Sequence, residues 1–367
     1  MKHFIFRFLV PALFLILIAS IQAKVAGAAD LYVATTGSDR NRGTQAAPFK
    51  TIPAASAAAA PGDTVHVAPG DYPGSFLTTA SGTAGARIRY VSDVQWGARI
   101  VPNPHSQRIY AWGNLGDYVD IDGFEIDGMS GPVWRNGIVT RGTHNSMTNN
   151  HVHHVADTAA CDNKGGSAIN ATSLNRGVAA KITGNVVHHI GWQGCRFIQG
   201  IYMGTSGEVK NNLAYAVGYA AIHLWHDATD VIIANNTVFG SGYGILVGSG
   251  DFYYSQRPVE NTHVTNNIVY DNMVGVAERG LHGTNNTYTT NLVYQNSYAD
   301  WSMDSRHSDT IAADPQFISY SRDGGGDYRL RSNSPAIGTG SPAYAPVDDL
   351  SGMRRAAGID LGAYTYR

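Results

Sequence analysis

Four side chains in the middle third of the chain are of the types that neutralise anions and move protons: Lys164, Arg196, Tyr202 and His223. Lys164 or Arg196 can counter a substrate's negative charge or act as a base, His223 is a second candidate base, and Tyr202 carries a proton to donate. Around them lie Asn170, Gln193 and His226, which can hydrogen-bond a ligand, and Trp192 and Trp225, which can offer a flat apolar face. The chemistry this set could perform is general acid–base catalysis on a negatively charged substrate. Two other constellations compete with it. Glu125 and Asp127 in DIDGFEIDGM share one strand face and could be the acid and base of a hydrolase, as could Asp157 and Asp162. His153, His154, His188 and His189 could bind zinc, but a histidine pair alone does not complete the coordination, and stacked structural imidazoles explain the same residues.

The elements that would position these residues are repeats. One phrase recurs as NNHVHHV (149–155), GNVVHHI (184–190), NNLAYAV (211–217), NNTVFGS (235–241), NNIVYDN (266–272) and TNLVYQN (290–296). After the first phrase, each is followed by a second apolar run opened by a small residue, as at Gly200, Ala221, Gly244 and Gly275. A strand-containing repeat of this length predicts a parallel β-helix, with at least two strands per coil and length variation absorbed in loops. Asn150, Asn185, Asn212, Asn236, Asn267 and Asn291 then stack as an asparagine ladder that satisfies turn backbone. Two residues on, Val152, Val187, Ala214, Val238, Val269 and Val293 form an inward apolar column. One residue further, His153, His188, Tyr215, Phe239, Tyr270 and Tyr294 form a column of rings, read first as a stability feature and second as a sugar-stacking strip.

This register brings the chemistry together. Cys161 lies 11 residues after Asn150 and Cys195 lies 10 after Asn185, so the two cysteines fall at near-equivalent points of adjacent coils, within reach of a disulfide. That bridge would pin the loop carrying Asp157, Asp162 and Lys164 to the loop carrying Trp192, Gln193 and Arg196. The strands that follow present Asn170, Tyr202 and His223 outward in successive coils, with Trp225 and His226 at the edge. The result is one contiguous patch.

Composition sets the remaining bounds. The chain has 367 residues, 42 of them glycine, and only 15% are charged, which suits many short strands in a single all-β domain. A formal net charge of -2 gives no electrostatic ground for a nucleic-acid partner. Lys2 and Arg7, the apolar stretch 8–21 and the small residues 26–28 read as a secretory signal, residues 1–28, with an uncleaved anchor as the alternative. The expected product is a secreted or periplasmic monomer, not inserted in the membrane once the signal is cleaved. Residues 29–85 should form the N-terminal cap and first coil, with a short Ala-rich helix in 47–63 before a strand at 64–72. Residues 86–310 should form the coils and 311–367 the C-terminal coil and strand cap.

LYVATTGSDRNRGTQAAPFKTIPAASAAAAPGDTVHVAPGDY, the asparagine repeats and the tail phrases DPQF, SPAIGTG and GIDLGAY together resemble the pectate-lyase-like superfamily of right-handed parallel β-helix proteins. The resemblance covers nearly all of the expected mature chain. It implies a right-handed helix and, in the superfamily's lyases, cleavage of a uronate polymer by β-elimination on the strand face and its overhanging loops. That reaction needs a cation for the uronate carboxylate, a base for the C5 proton and a donor for the leaving oxygen, the roles open to Lys164, Arg196, His223 and Tyr202. The family's calcium would find no dense Asp cluster on the groove strands, and the Asp-Pro-His-Asp phrase of alginate epimerases is absent. A lyase acting on an acidic polysaccharide is the leading expectation. The alternatives are a non-catalytic glycan-binding or structural solenoid of the envelope and a glycoside hydrolase.

Overall fold

The computed structural model describes residues 27–129 and 134–367. The signal sequence read from residues 1–28 therefore lies, except for its last two positions, outside the described residues. Among the described residues, no helix is long and apolar enough to cross a membrane.

The chain winds as a solenoid of three parallel sheets with 11, 9 and 9 strands, each complete coil adding one strand to each sheet. The flank sheet carries the recurring phrase, from Gly70–Pro73 through His151–Val155 and Val186–Ile190 to Leu292–Tyr294. The groove sheet carries the second run, including Asn136–Thr140, Gly166–Thr172, Ile198–Gly204, Ala220–Leu224 and Tyr243–Ser249. The third sheet is built of short segments such as Ser146–Thr148 and Gly207–Lys210, which have too few apolar residues to stand out in the sequence. Small residues open the groove strands for a steric reason: a Cβ on Gly200 would sit 2.5 Å from the Ala221 carbonyl oxygen, and one on Gly244 2.8 Å from that of Gly275.

The asparagine ladder is continuous. The backbone N–H and the side-chain NH₂ of Asn150, Asn185, Asn212, Asn236 and Asn267 each donate to the Oδ1 of the next ladder asparagine, at 2.9–3.1 Å. The same NH₂ groups donate to strand carbonyls of the preceding turn, as Asn236 does to Val209 at 2.9 Å. The residue before each ladder position is left-handed, with φ near 55° at Asn149, Asn211 and Asn235 and 70° at Gly184. Asparagine and glycine adopt that conformation at least cost, which explains the doubled Asn. The column from Val152 to Val293 is fully buried and in register from coil to coil.

The N-terminal helix is Ile52–Ala58, and its N-cap Thr51 accepts from the Ala54 N–H. It buries Ile52 and Ala55 in the core. The stretch 64–72 forms two strands rather than one, Thr64–Val67 and Gly70–Pro73, because Ala68-Pro69 turns a corner between sheets. At the other end, Phe317–Ser319 and Asp327–Leu330 pair antiparallel. This pair lies on the flank sheet, with the Tyr328 ring 4.5 Å from Phe239 and Tyr320 5.0 Å from Tyr270. Phe239 is fully buried beneath it, so the ring column is a packing feature there and offers no face to a sugar.

The rest of the tail runs back along the solenoid, held by the first asparagine of each pair. Asn211 donates to the Asp348 carbonyl, Asn235 to that of Asp360 and Asn266 to that of Ser341. Buried Arg355 donates to Asn211 Oδ1 and to the Gly362 carbonyl, both at 2.8 Å.

Candidate active site

The groove sheet aligns Asn170 with Tyr202 and Tyr202 with His223 in adjacent coils. Loops on both sides of these strands raise walls around a groove of about 780 Å³. Asn170, Tyr202 and His223 line it together with Lys164, Arg196, Trp225 and His226. Seven of the side chains singled out by sequence therefore share one surface. Trp192 and Gln193 are not among the lining residues. Trp192 is exposed, with its indole N–H bonded to the Ala159 carbonyl at 3.1 Å on the neighbouring loop.

The floor holds polar atoms without partners. Asn170 Oδ1 and His223 Nδ1 are buried and find no hydrogen bond among the described residues. Such atoms carry a desolvation cost that a polar ligand or water would relieve. Burial, reinforced by the nearby His226, pushes the His223 imidazole down to about 3, so at neutral pH it is neutral and offers a ring nitrogen as a hydrogen-bond acceptor. Burial also holds the Tyr202 phenol protonated well above its ordinary range, with Tyr253 and Asp251 adding to the effect. The two rings meet edge to face at 5.2 Å. A neutral acceptor and a protonated donor thus stand side by side.

One wall is fixed around Trp225. Its indole N–H donates to Asp251 at 3.1 Å, and its ring lies against Gly248, Gly250 and Gly280, where an added Cβ would come within 2.6–2.9 Å. His226 stacks on Tyr253 at 4.3 Å, and its Nδ1 lies 2.7 Å from the Asp251 carbonyl oxygen. The opposite wall is the pair of loops joined by the Cys161–Cys195 disulfide, whose Cα atoms are 5.5 Å apart. The sequence separation of 34 residues predicts that replacing both cysteines by serine costs about 3–4 kcal/mol of stability by the loop-entropy relation. Denaturant titration of the double variant checks this, and an unchanged midpoint contradicts it.

The sequence did not single out Arg141, Arg279 and Tyr219, which also line the groove. Burial and the neighbouring Tyr243 push the Tyr219 phenol up, and Arg279 and Arg196 both act against that rise, so its oxygen lies in the field of two guanidinium groups. With Lys164, the groove has four cationic side chains, and among its described lining residues Asp251 is the only carboxylate. This donor set does not fit calcium, which takes six to eight oxygen ligands.

The other constellations lie elsewhere. Glu125 and Asp127 stand on the flank sheet opposite His151 and His153 of the next coil and do not flank the groove. Asp162 pairs with Arg135 at 2.8 Å and lies 3.9 Å from Lys164, and neither Asp157 nor Asp162 is a lining residue. His153 stacks on His188 at 5.0 Å and His154 on His189 at 5.0 Å, with Glu125 Oε1 2.9 Å from His153 Nε2.

Comparison with known proteins fits this architecture. Residues 31–313 match the family model described as "Pel9A-like, right handed beta helix region". Among solved structures, that of pectate lyase Pel9A superposes with a TM-score of 0.60 at 19% identity, covering 94% of this chain and 98% of the other. The A-module of the Azotobacter vinelandii mannuronan C-5 epimerase AlgE6 superposes with a TM-score of 0.53 at 18% identity over 75% of this chain and 70% of its own. A structure titled "Glycoside hydrolase" gives 0.53 at 9% identity, over 78% and 95%. These likenesses concern the fold. No curated protein matches the chain by sequence.

Proposed function

Because the chain belongs to the Pel9A-like right-handed β-helix family, we propose that its groove binds an acidic polysaccharide and cleaves it at a uronate by β-elimination. The observation that carries this reading is the groove's charge: among its described lining residues, Arg141, Lys164, Arg196 and Arg279 stand against the one carboxylate of Asp251, around a floor where Asn170 Oδ1 and His223 Nδ1 find no described partner. The same-fold structure titled as a pectate lyase is consistent with such a substrate.

In this reading, Arg196 and Lys164 face the uronate carboxylate and draw charge from it, which acidifies the C5 proton. His223 takes that proton, the bound uronate's negative charge stabilising the imidazolium that burial alone disfavours. Its electron pair forms the C4–C5 double bond, the C4–oxygen bond breaks, and the leaving oxygen takes the proton of Tyr202. Solvent then carries the proton from His223 and restores Tyr202, so no oxidant or second substrate is consumed. Trp225 provides a wall for a sugar ring, and Arg141 and Arg279 meet carboxylates further along the polymer.

The test is to incubate the purified protein with a panel of uronate-containing and neutral polysaccharides and follow the ultraviolet absorbance of the unsaturated product. Absorbance should rise with at least one uronate polymer and with no neutral one. Arg196→Ala should lower kcat/KM by roughly 10–100-fold, the worth of a lost charged hydrogen bond. Salt-sensitive binding of uronate polymers without any unsaturated product would overturn the lyase reading in favour of a glycan-binding solenoid.

A further inference from the structure

Away from the groove, the flank sheet gathers five imidazoles and two carboxylates. Glu125, His151 and His153 each bring a ligand atom within 4.8 Å of the others, and Asp127, His153 and His154 form a second such group. The ligands come from adjacent coils, since His151 pairs with Glu125 and His153 with Asp127 across the sheet. Nitrogen faces nitrogen at three places, each at 2.7 Å: His151 Nε2 to His188 Nε2, His153 Nδ1 to His154 Nδ1, and His188 Nδ1 to His189 Nδ1. The Trp96 ring lies 4.8 Å from His151, beside the cluster.

From this geometry we propose that Glu125, His151 and His153 bind a borderline transition-metal ion of the zinc class, holding two coils together. Two ring nitrogens and a carboxylate oxygen suit zinc, whereas calcium and magnesium call for oxygen alone. Of the two groups, the first is the better ligand set. Asp127 is already committed to the Met129 N–H at 2.8 Å and to Arg99 at 3.3 Å, while Glu125 is hydrogen-bonded to His153 alone among the described residues. A tetrahedral zinc at ordinary bond lengths sets its donors about 3.3 Å apart. Glu125 Oε1 and His153 Nε2 stand at 2.9 Å, so they need to part only slightly. The fourth position is left to water or to the adjoining His188. The ion's role is structural, because its ligands project from a different sheet from Tyr202 and His223.

The test uses the full chain without a histidine tag, stripped with a chelator and titrated with Zn²⁺ by calorimetry, and with Co²⁺ by visible absorption. One Zn²⁺ should bind per chain, the melting temperature should rise by several degrees, and Co²⁺ should develop the visible bands of a low-symmetry nitrogen–oxygen site. Glu125→Gln preserves shape and should weaken Zn²⁺ binding at least tenfold while the chelated protein melts as the parent does. His151→Asn should abolish binding. Glu125→Gln keeps the test decisive if the histidine variant fails to fold. Absence of Zn²⁺ binding overturns the proposal, and so does binding that keeps its strength in Glu125→Gln, since the metal then sits elsewhere. Neither outcome bears on the groove, whose residues are untouched.

Discussion

Tyr202→Phe is expected to lower turnover of a uronate polymer by about 10²–10⁴-fold, the usual contribution of a positioned acid or base. The substitution removes one oxygen and leaves the ring against His223, so substrate binding and melting temperature should hardly change. Its effect should therefore fall on kcat rather than on KM. Burial keeps the phenol protonated, which suits Tyr202 to the leaving-group side of the reaction. Steady-state kinetics on the polymer identified by the panel assay measure the effect. If Tyr202→Phe keeps more than about a third of the parent's kcat, far above the range expected for a lost proton donor, the donor is another group. Tyr219, in the field of Arg196 and Arg279, is then the first to substitute.

The second large effect concerns stability. Asn236 accepts from the Asn212 backbone and side chain and donates to Val209 and Asn267, all within the core. Asn236→Ala strands these partners in a fully buried turn, and each orphaned group costs about 1–3 kcal/mol. With partial relaxation the loss should be roughly 3–5 kcal/mol, visible in calorimetry as a melting temperature lower by about 4–7 °C. A shift of less than about 1 °C would mean that the ladder is not the keystone its geometry suggests.

The ladder, the apolar column and the disulfide were legible in the sequence because each follows strictly from one repeating phrase. The placement of Asn170, Tyr202 and His223 in adjacent coils followed from the same register. Residues outside the phrase were harder to read. Arg141 follows the strand Asn136–Thr140 and Arg279 lies near the end of Val274–Gly280, so their convergence depends on coil geometry that the sequence does not spell out. Trp192 looked like a platform from its loop and neighbours, yet its indole turns to Ala159. The histidine columns are visible in the repeated phrase, but Glu125 belongs to the preceding coil and in the sequence reads as one of a carboxylate pair with Asp127. The tail has no period at all. Its path over Asn211, Asn235 and Asn266 rests on side chains whose partners lie 75–137 residues away.

That path changes how the molecule bears load. A plain solenoid pulled from its last coil opens like a zip, one set of strand bonds at a time, because each coil touches only its neighbours. Here the final residues are tied to three earlier coils through Asn211, Asn235, Asn266 and Arg355. Tension on the C terminus must therefore break these ties before it reaches the last coil. The C-terminal half is therefore buckled rather than zipped.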